Sequence, residues 1–158
     1  MERQCGRSEY HGQDPVPAEM KVAAVVNWYG ITDVTELLDG PNMRTYAVTW
    51  LGNLTNREEI AKRVSPVTYV RAGVPAVLTI HGDADPTVPY QQGVRLHKML
   101  AGVGVANELM TIPGGKHGIN CCTLTQRTNA YAKIREFLTR NHVIDGSKPP
   151  STGARPQP

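Results

Sequence analysis

The sequence has no apolar run near the roughly 18 residues that cross a bilayer. Its first residues, Met1-Glu2-Arg3-Gln4-Cys5, lack the apolar core of a signal peptide. A membrane span is excluded and a soluble chain is expected; nothing in the sequence fixes a localisation. Cysteine is scarce, three in 158 residues, and Cys121 and Cys122 are neighbours that bridge only with strain. That excludes a disulfide scaffold and leaves free thiols. Charge of one sign is not concentrated either: the net charge is +3, and the basic residues neither cluster nor interleave with aromatics. A nucleic-acid footprint is therefore excluded.

What is present is an ordinary globular composition, 40% hydrophobic with 15 Gly, at the length of about one domain. It is unevenly spread. Residues 1–20 are polar and broken by Pro15 and Pro17, and residues 145–158 hold four prolines in the last ten positions with no apolar periodicity. Both ends are expected to be irregular or disordered, because they cannot bury enough surface to offset ordering. Residues 21–144 remain as the folding unit.

Within that unit three segments read as strands. VAAVVNW (22–28) is a continuous apolar run of the kind covered on both faces, ending at Tyr29-Gly30. PAVLTIH (75–81) is stopped by Gly82, and ELMTI (108–112) by Pro113-Gly114-Gly115. Helical stripes follow the last two: Gly93, Leu96, Leu100 and Val103 after Pro89, then Tyr131, Ile134 and Leu138 within 124–141. Strand, helix, strand, helix is the order of a parallel α/β sheet.

Residues 30–73 break this rhythm. Asp33-Val34-Thr35-Glu36 and Thr55-Asn56-Arg57-Glu58 have the spacing of helix capping boxes, so the region reads as a helical excursion. Its apolar content is expected to be Met43, Tyr46, Trp50 and Leu51.

Parallel sheets place reactive groups at the carboxyl ends of their strands. The second strand runs into His81-Gly82-Asp83-Ala84-Asp85-Pro86, and the third into Pro113-Gly114-Gly115-Lys116-His117-Gly118. An acid and a histidine thus stand on adjacent loops. A carboxylate on one imidazole nitrogen fixes the tautomer while the other nitrogen takes a proton from a nucleophile. Glycines 114, 115 and 118 are expected to take positive φ and turn the ring over the sheet edge. Each residue also has a plainer reading. Asp83 and Asp85 are both turn formers, His81 reads as a strand-end packing residue, and His97 reads as solvated. A metal cluster of His81, Asp83 and Asp85 would need further ligands that the sequence does not offer, so no metal and no cofactor are expected.

At these residues the chain resembles the C-terminal half of an α/β-hydrolase of the esterase, lipase and prolyl-oligopeptidase branch. The resemblance is carried by VAAVVNWYGITDV, by SPVTYVRAGVPAVLTIHGDADPTVPYQQGVRLHKMLAGVGV and by ELMTIPGGKHG with its closing helix, which together cover most of 21–141. It implies a partial α/β-hydrolase fold of three parallel strands with flanking helices, the N-terminal half of the sheet missing. It also implies that Asp85 is the acid and His117 the base of a Ser-Asp-His triad acting on an ester or peptide.

No nucleophile accompanies them. The four serines are Ser8, Ser65, Ser147 and Ser151, and none stands in the G-x-S-x-G elbow; the glycine-rich oxyanion loop is absent as well. The first expectation is therefore a truncated serine hydrolase, inactive alone. A non-catalytic module that pairs through its exposed sheet edge with a partner chain is the alternative. A hydrolase using Cys121 or Cys122 is the weakest reading, since both follow the histidine outside any elbow turn.

Overall fold

The aliphatic runs form strands β1 (Ala24–Trp28), β2 (Ala76–Gly82) and β3 (Asn107–Ile112), all parallel, in the order β1-β2-β3. These belong to a computed structural model that describes residues 21–118 and 122–147. The expectations for 1–20 and for the tail beyond Ser147 lie outside the described residues. Register places Ala24 opposite Ala76 and Val77 opposite Asn107, so the three carboxyl ends, Trp28, Gly82 and Ile112, finish along one edge.

Alternate residues of a strand face opposite sides, and each side here has its own helix. Leu78, Ile80 and Ile112 pack with Ala130 and Phe137 of the helix Leu124–Arg140. Val77 packs on the other side with Leu96 and Leu100 of the helix Gln91–Gly102, the crossover between β2 and β3. Leu78 and Phe137 are fully buried, and each such side chain contributes about 1.5–3 kcal/mol. The first strand departs from its expected double cover: Val25 is exposed, and the edge of β1 away from β2 has no neighbour among the described residues.

Between β1 and β2 lie two short helices, α1 (Thr45–Leu51) and α2 (Arg57–Arg63), with single 3-10 turns around them. The crossover and closing helices are accordingly α3 and α4. The excursion builds a small core of its own, and of the expected residues only Leu51 enters it. Val34, Leu37, Leu38, Ala47, Leu51 and Ala61 are buried, whereas Met43, Tyr46 and Trp50 are exposed. Ala47 and Leu51, four apart, form the inward stripe of α1, which turns Tyr46 and Trp50 outward.

Neither expected capping box forms. Asp33 does accept from the Thr35 and Glu36 amides, but Glu36 is drawn away by Arg95 Nη2 at 2.7 Å and Gln92 Nε2 at 2.8 Å. At α2 the cap is Asn56, with no side-chain bond. A complete capping box stands instead at Thr123 and Gln126, at the start of α4.

Buried Gln92 fastens the excursion to α3. Its Oε1 accepts from the Thr32 and Asp33 amides at 2.9 and 2.7 Å, and its Nε2 donates to the Asp33 carbonyl at 3.0 Å. Among the described residues no helix is long and apolar enough to cross a membrane.

Candidate active site

The loops that follow β2 and β3 are tied together by backbone before any reactive side chain is considered. Ala84 N donates to the Gly115 carbonyl at 3.1 Å, and Gly114 N donates to Asp83 Oδ1 at 2.7 Å. The approach is so close that a Cβ on Gly82 would collide with the Gly115 backbone. Gly114 and Gly118 have φ of +68° and +89°, as expected for glycines that turn the loop back. Gly115 does not share that conformation; a Cβ there would press on Ile112, so close packing is what selects glycine.

This apposition brings Asp85 and His117 together. His117 Nδ1 donates to Asp85 Oδ2 at 2.8 Å. The other carboxylate oxygen, Oδ1, accepts from Thr87 N at 2.8 Å and Val88 N at 2.9 Å. The acid side chain is fully buried, while the imidazole is one-third exposed. A carboxylate with both oxygens engaged can neither rotate nor wander, so it fixes which nitrogen of His117 carries the proton. Nε2 is left for an incoming proton. The two aspartates, equivalent as turn formers, divide the work: Asp83 holds the loops and Asp85 holds the histidine.

His81 lies beneath them, fully buried, and donates through Nε2 to the Val88 carbonyl at 3.0 Å. Burial holds its imidazole below the ordinary 6.5, against the opposing pull of the Val88 carbonyl and Asp85. His97 differs from its expected solvated state: it is buried, with Nδ1 on Asn107 Oδ1 at 2.9 Å, and burial lowers it as well. The reason is that α3 turns position 97 toward β3.

A lowered folded value means that the unfolded chain binds protons first as pH falls below the ordinary 6.5. Stability is therefore full above that value and is lost as pH drops toward the folded values. The urea midpoint is expected to fall between about pH 7.5 and about pH 5.5, and His97→Gln to shrink that fall. An unchanged fall in the variant would remove His97 from the account.

A cleft of about 400 Å³ opens beside His117, lined by Trp28, Tyr29, Ile31, Tyr46, Thr87 and Val88 among others. Its floor is the end of β1, and one wall comes from the excursion. Arg44 Nε and the Tyr46 hydroxyl both donate to the Thr87 carbonyl, at 3.1 and 3.2 Å, joining that wall to the acid loop. The sequence does not single out Tyr29 or Arg44 as site residues, and it places Tyr46 only in the apolar content of the excursion. For Tyr29 the signal was available, since it follows a strand end; for Arg44 and Tyr46 the contacts span 43 and 41 positions and leave no local trace.

Other candidates are not brought to the cleft. Ser65 is buried, its hydroxyl donating to the Ala61 carbonyl at 2.6 Å and accepting from Val34 N at 2.8 Å. Ser147 bonds Asp145 in the tail. Ser8, Ser151 and Cys121 lie outside the described residues, and Cys122 is a half-buried free thiol packed against the Ile80 and Phe137 core. Among the described residues no three His, Cys, Asp or Glu side chains converge as a metal site.

A family model described as BD-FAE matches residues 2–100. A truncated form of a carbohydrate esterase from gut microbiota is 30% identical, covering 75% of this chain and 43% of that one, with a TM-score of 0.60. The propionate-bound esterase Est2 of the Planctomycetes species Thermogutta terrifontis is 25% identical over 78% of this chain and 44% of that one, TM-score 0.56. Its native form is 24% identical, covering 84% and 45%, TM-score 0.57. The chain thus spans less than half the length of these solved structures. A search of curated proteins finds no match.

Proposed function

The chain belongs to the BD-FAE family, an α/β-hydrolase-type domain, and on that premise we propose that it carries the acid and base of an esterase whose nucleophile lies outside these 158 residues. The observation that supports this most directly is the 2.8 Å bond from His117 Nδ1 to a carboxylate whose other oxygen is already committed to two backbone amides. In the complete site a serine hydroxyl attacks the ester carbonyl as His117 Nε2 takes its proton. Asp85 stabilises the imidazolium. The same proton then goes to the leaving alcohol, and water repeats the sequence on the acyl-enzyme. The esterases among the similar structures favour an ester over a peptide, and the carbohydrate esterase favours an acyl group borne on a sugar.

A second reading, a non-catalytic module that pairs with a partner chain, is favoured by one observation. Beside the open edge of β1 lies an apolar groove of about 400 Å³ lined by Val25, Ile31, Val70, Val74, Leu96 and Leu100. The occupant that this reading calls for is an apolar strand supplied by the partner chain along β1. Fluorophosphonate labelling separates the readings. The chain alone is expected to remain unlabelled. Co-expressed with a fragment that carries G-x-S-x-G and the glycine-rich loop, it is expected to bind that fragment and render its serine reactive, and His117→Ala to abolish the reactivity. A complex whose labelling ignores His117→Ala would leave only the pairing module. Labelling of the chain alone, lost in His117→Ala, would refute the external nucleophile.

A further inference from the structure

The backbone at the end of β1 is strained at one position. Tyr29 has φ of +42°, a left-handed conformation that bulky residues seldom adopt and that persists only where the surroundings impose it. Three bonds impose it here. Tyr29 N donates to the Ile80 carbonyl at 2.9 Å, prolonging the β1-β2 ladder by one residue. Gly30 N donates to Asn27 Oδ1 at 3.0 Å, and Asn27 Nδ2 donates to Thr79 Oγ1 at 3.2 Å. The Asn27 side chain thereby closes over Gly30, where a Cβ would collide with Oδ1.

The strained turn delivers the Tyr29 ring to the His117 imidazole, with centroids 4.6 Å apart and planes tilted by 59°. Trp28 backs the ring edge-on at 6.0 Å and is itself packed on Tyr131 of α4 at 5.8 Å. The tyrosine is therefore held from behind while it meets the imidazole in front. Such ring pairs are favourable in offset or tilted arrangements at this separation.

We propose that Tyr29 is a positioning residue for His117. The role rests on the reading of His117 as general base. Among the described residues one hydrogen bond, at Nδ1, anchors the imidazole; such a bond fixes one atom of the ring and not its plane, and the loop that carries it turns through Gly114 and Gly118. Asp85 supplies the anchor; Tyr29 supplies the wall against which the ring plane rests. The strain at position 29 is kept because a relaxed backbone would carry the side chain elsewhere. Phenylalanine keeps the ring that meets the imidazole, so it is expected to hold His117 as tyrosine does.

The test uses the full 158-residue chain labelled with ¹⁵N-histidine, read by the His117 Nδ1 proton and the ring-proton shifts. The wild type and Tyr29→Phe are expected to show a protected Nδ1 proton and ring protons displaced by the aromatic neighbour. Tyr29→Leu is expected to lose the protected proton to solvent exchange, with the amide spectrum away from the loop unchanged. Tyr29→Gly accepts the positive φ without strain, so it repeats the measurement should the leucine variant fail to fold. An Nδ1 proton equally protected in Tyr29→Leu or in Tyr29→Gly overturns the proposal. Asp85→Asn distinguishes the two levels: if it leaves the Nδ1 proton untouched, the acid-base pair itself is wrong; if it removes the proton and the Tyr29 variants do not, only the role of Tyr29 falls.

Discussion

Asp85→Asn is expected to lower kcat by about 10⁴-fold with little change in KM, measured in an assembly that supplies the nucleophile. The size follows from how the carboxylate is used. Oδ1 is committed to the Thr87 and Val88 amides, so an asparagine must keep its carbonyl oxygen there and turn its amide toward His117. Two donors then face each other at Nδ1. The imidazole responds by moving its proton to Nε2, the nitrogen that has to accept one, and no negative charge remains to stabilise an imidazolium. The cleft of Trp28, Tyr29 and Tyr46, where the proposed substrate would sit, keeps its lining in this variant. Asp83→Asn is the internal comparison. Its oxygen can still accept from Gly114 N, so kcat is expected to change only about a few-fold, on the order of one charge-assisted bond weakened to a neutral one. Equal kcat losses in the two variants would show that Asp85 acts through the loop and not through His117.

Gly82→Ala is expected to be the most damaging alanine substitution among the described glycines, costing about 3 kcal/mol or more. The atoms it would strike belong to the Gly115 backbone, which no rotamer change can move aside. The two loops must part, and the Ala84 to Gly115 and Gly114 to Asp83 bonds go with them. Gly102→Ala, at the end of α3 with no atom near the added methyl, is expected to be neutral or to stabilise slightly by reducing unfolded-state freedom. Urea unfolding of the two variants checks the contrast, and the His117 Nδ1 proton checks that loop separation also breaks the Asp85 bond. A Gly82→Ala protein as stable as the Gly102→Ala one would mean that the loops can yield without cost.

Most of the sheet was legible in the sequence. The runs at 22–28, 75–81 and 108–112 are strands to within two residues at each end, and the stripes after Pro89 and Thr123 are the helices that cover them. Apolar periodicity and glycine stops are local signals, and local signals suffice where an element's burial is regular. The excursion was legible only in outline. Its helices exist, but Ala47 and Ala61 sit in its core while Trp50 is 65% exposed. Size and apolarity rank Trp50 above Ala47; only the direction in which α1 packs reverses that ranking.

For the site, the sequence by itself determined that an aspartate-rich loop and a glycine-histidine loop follow neighbouring strands, because strand ends and turn residues are written locally. The pairing of His117 with Asp85, the burial of His81 and His97, the glycine required at 82 and the strained tyrosine at 29 were decided by the tertiary structure. Each depends on which atoms the sheet register brings within hydrogen-bond or van der Waals distance. Asp85 and His117 are 32 positions apart, and Gln92 meets Thr32 across 60. Propensity carries no information over such separations; burial and the geometry of the closed chain supply it.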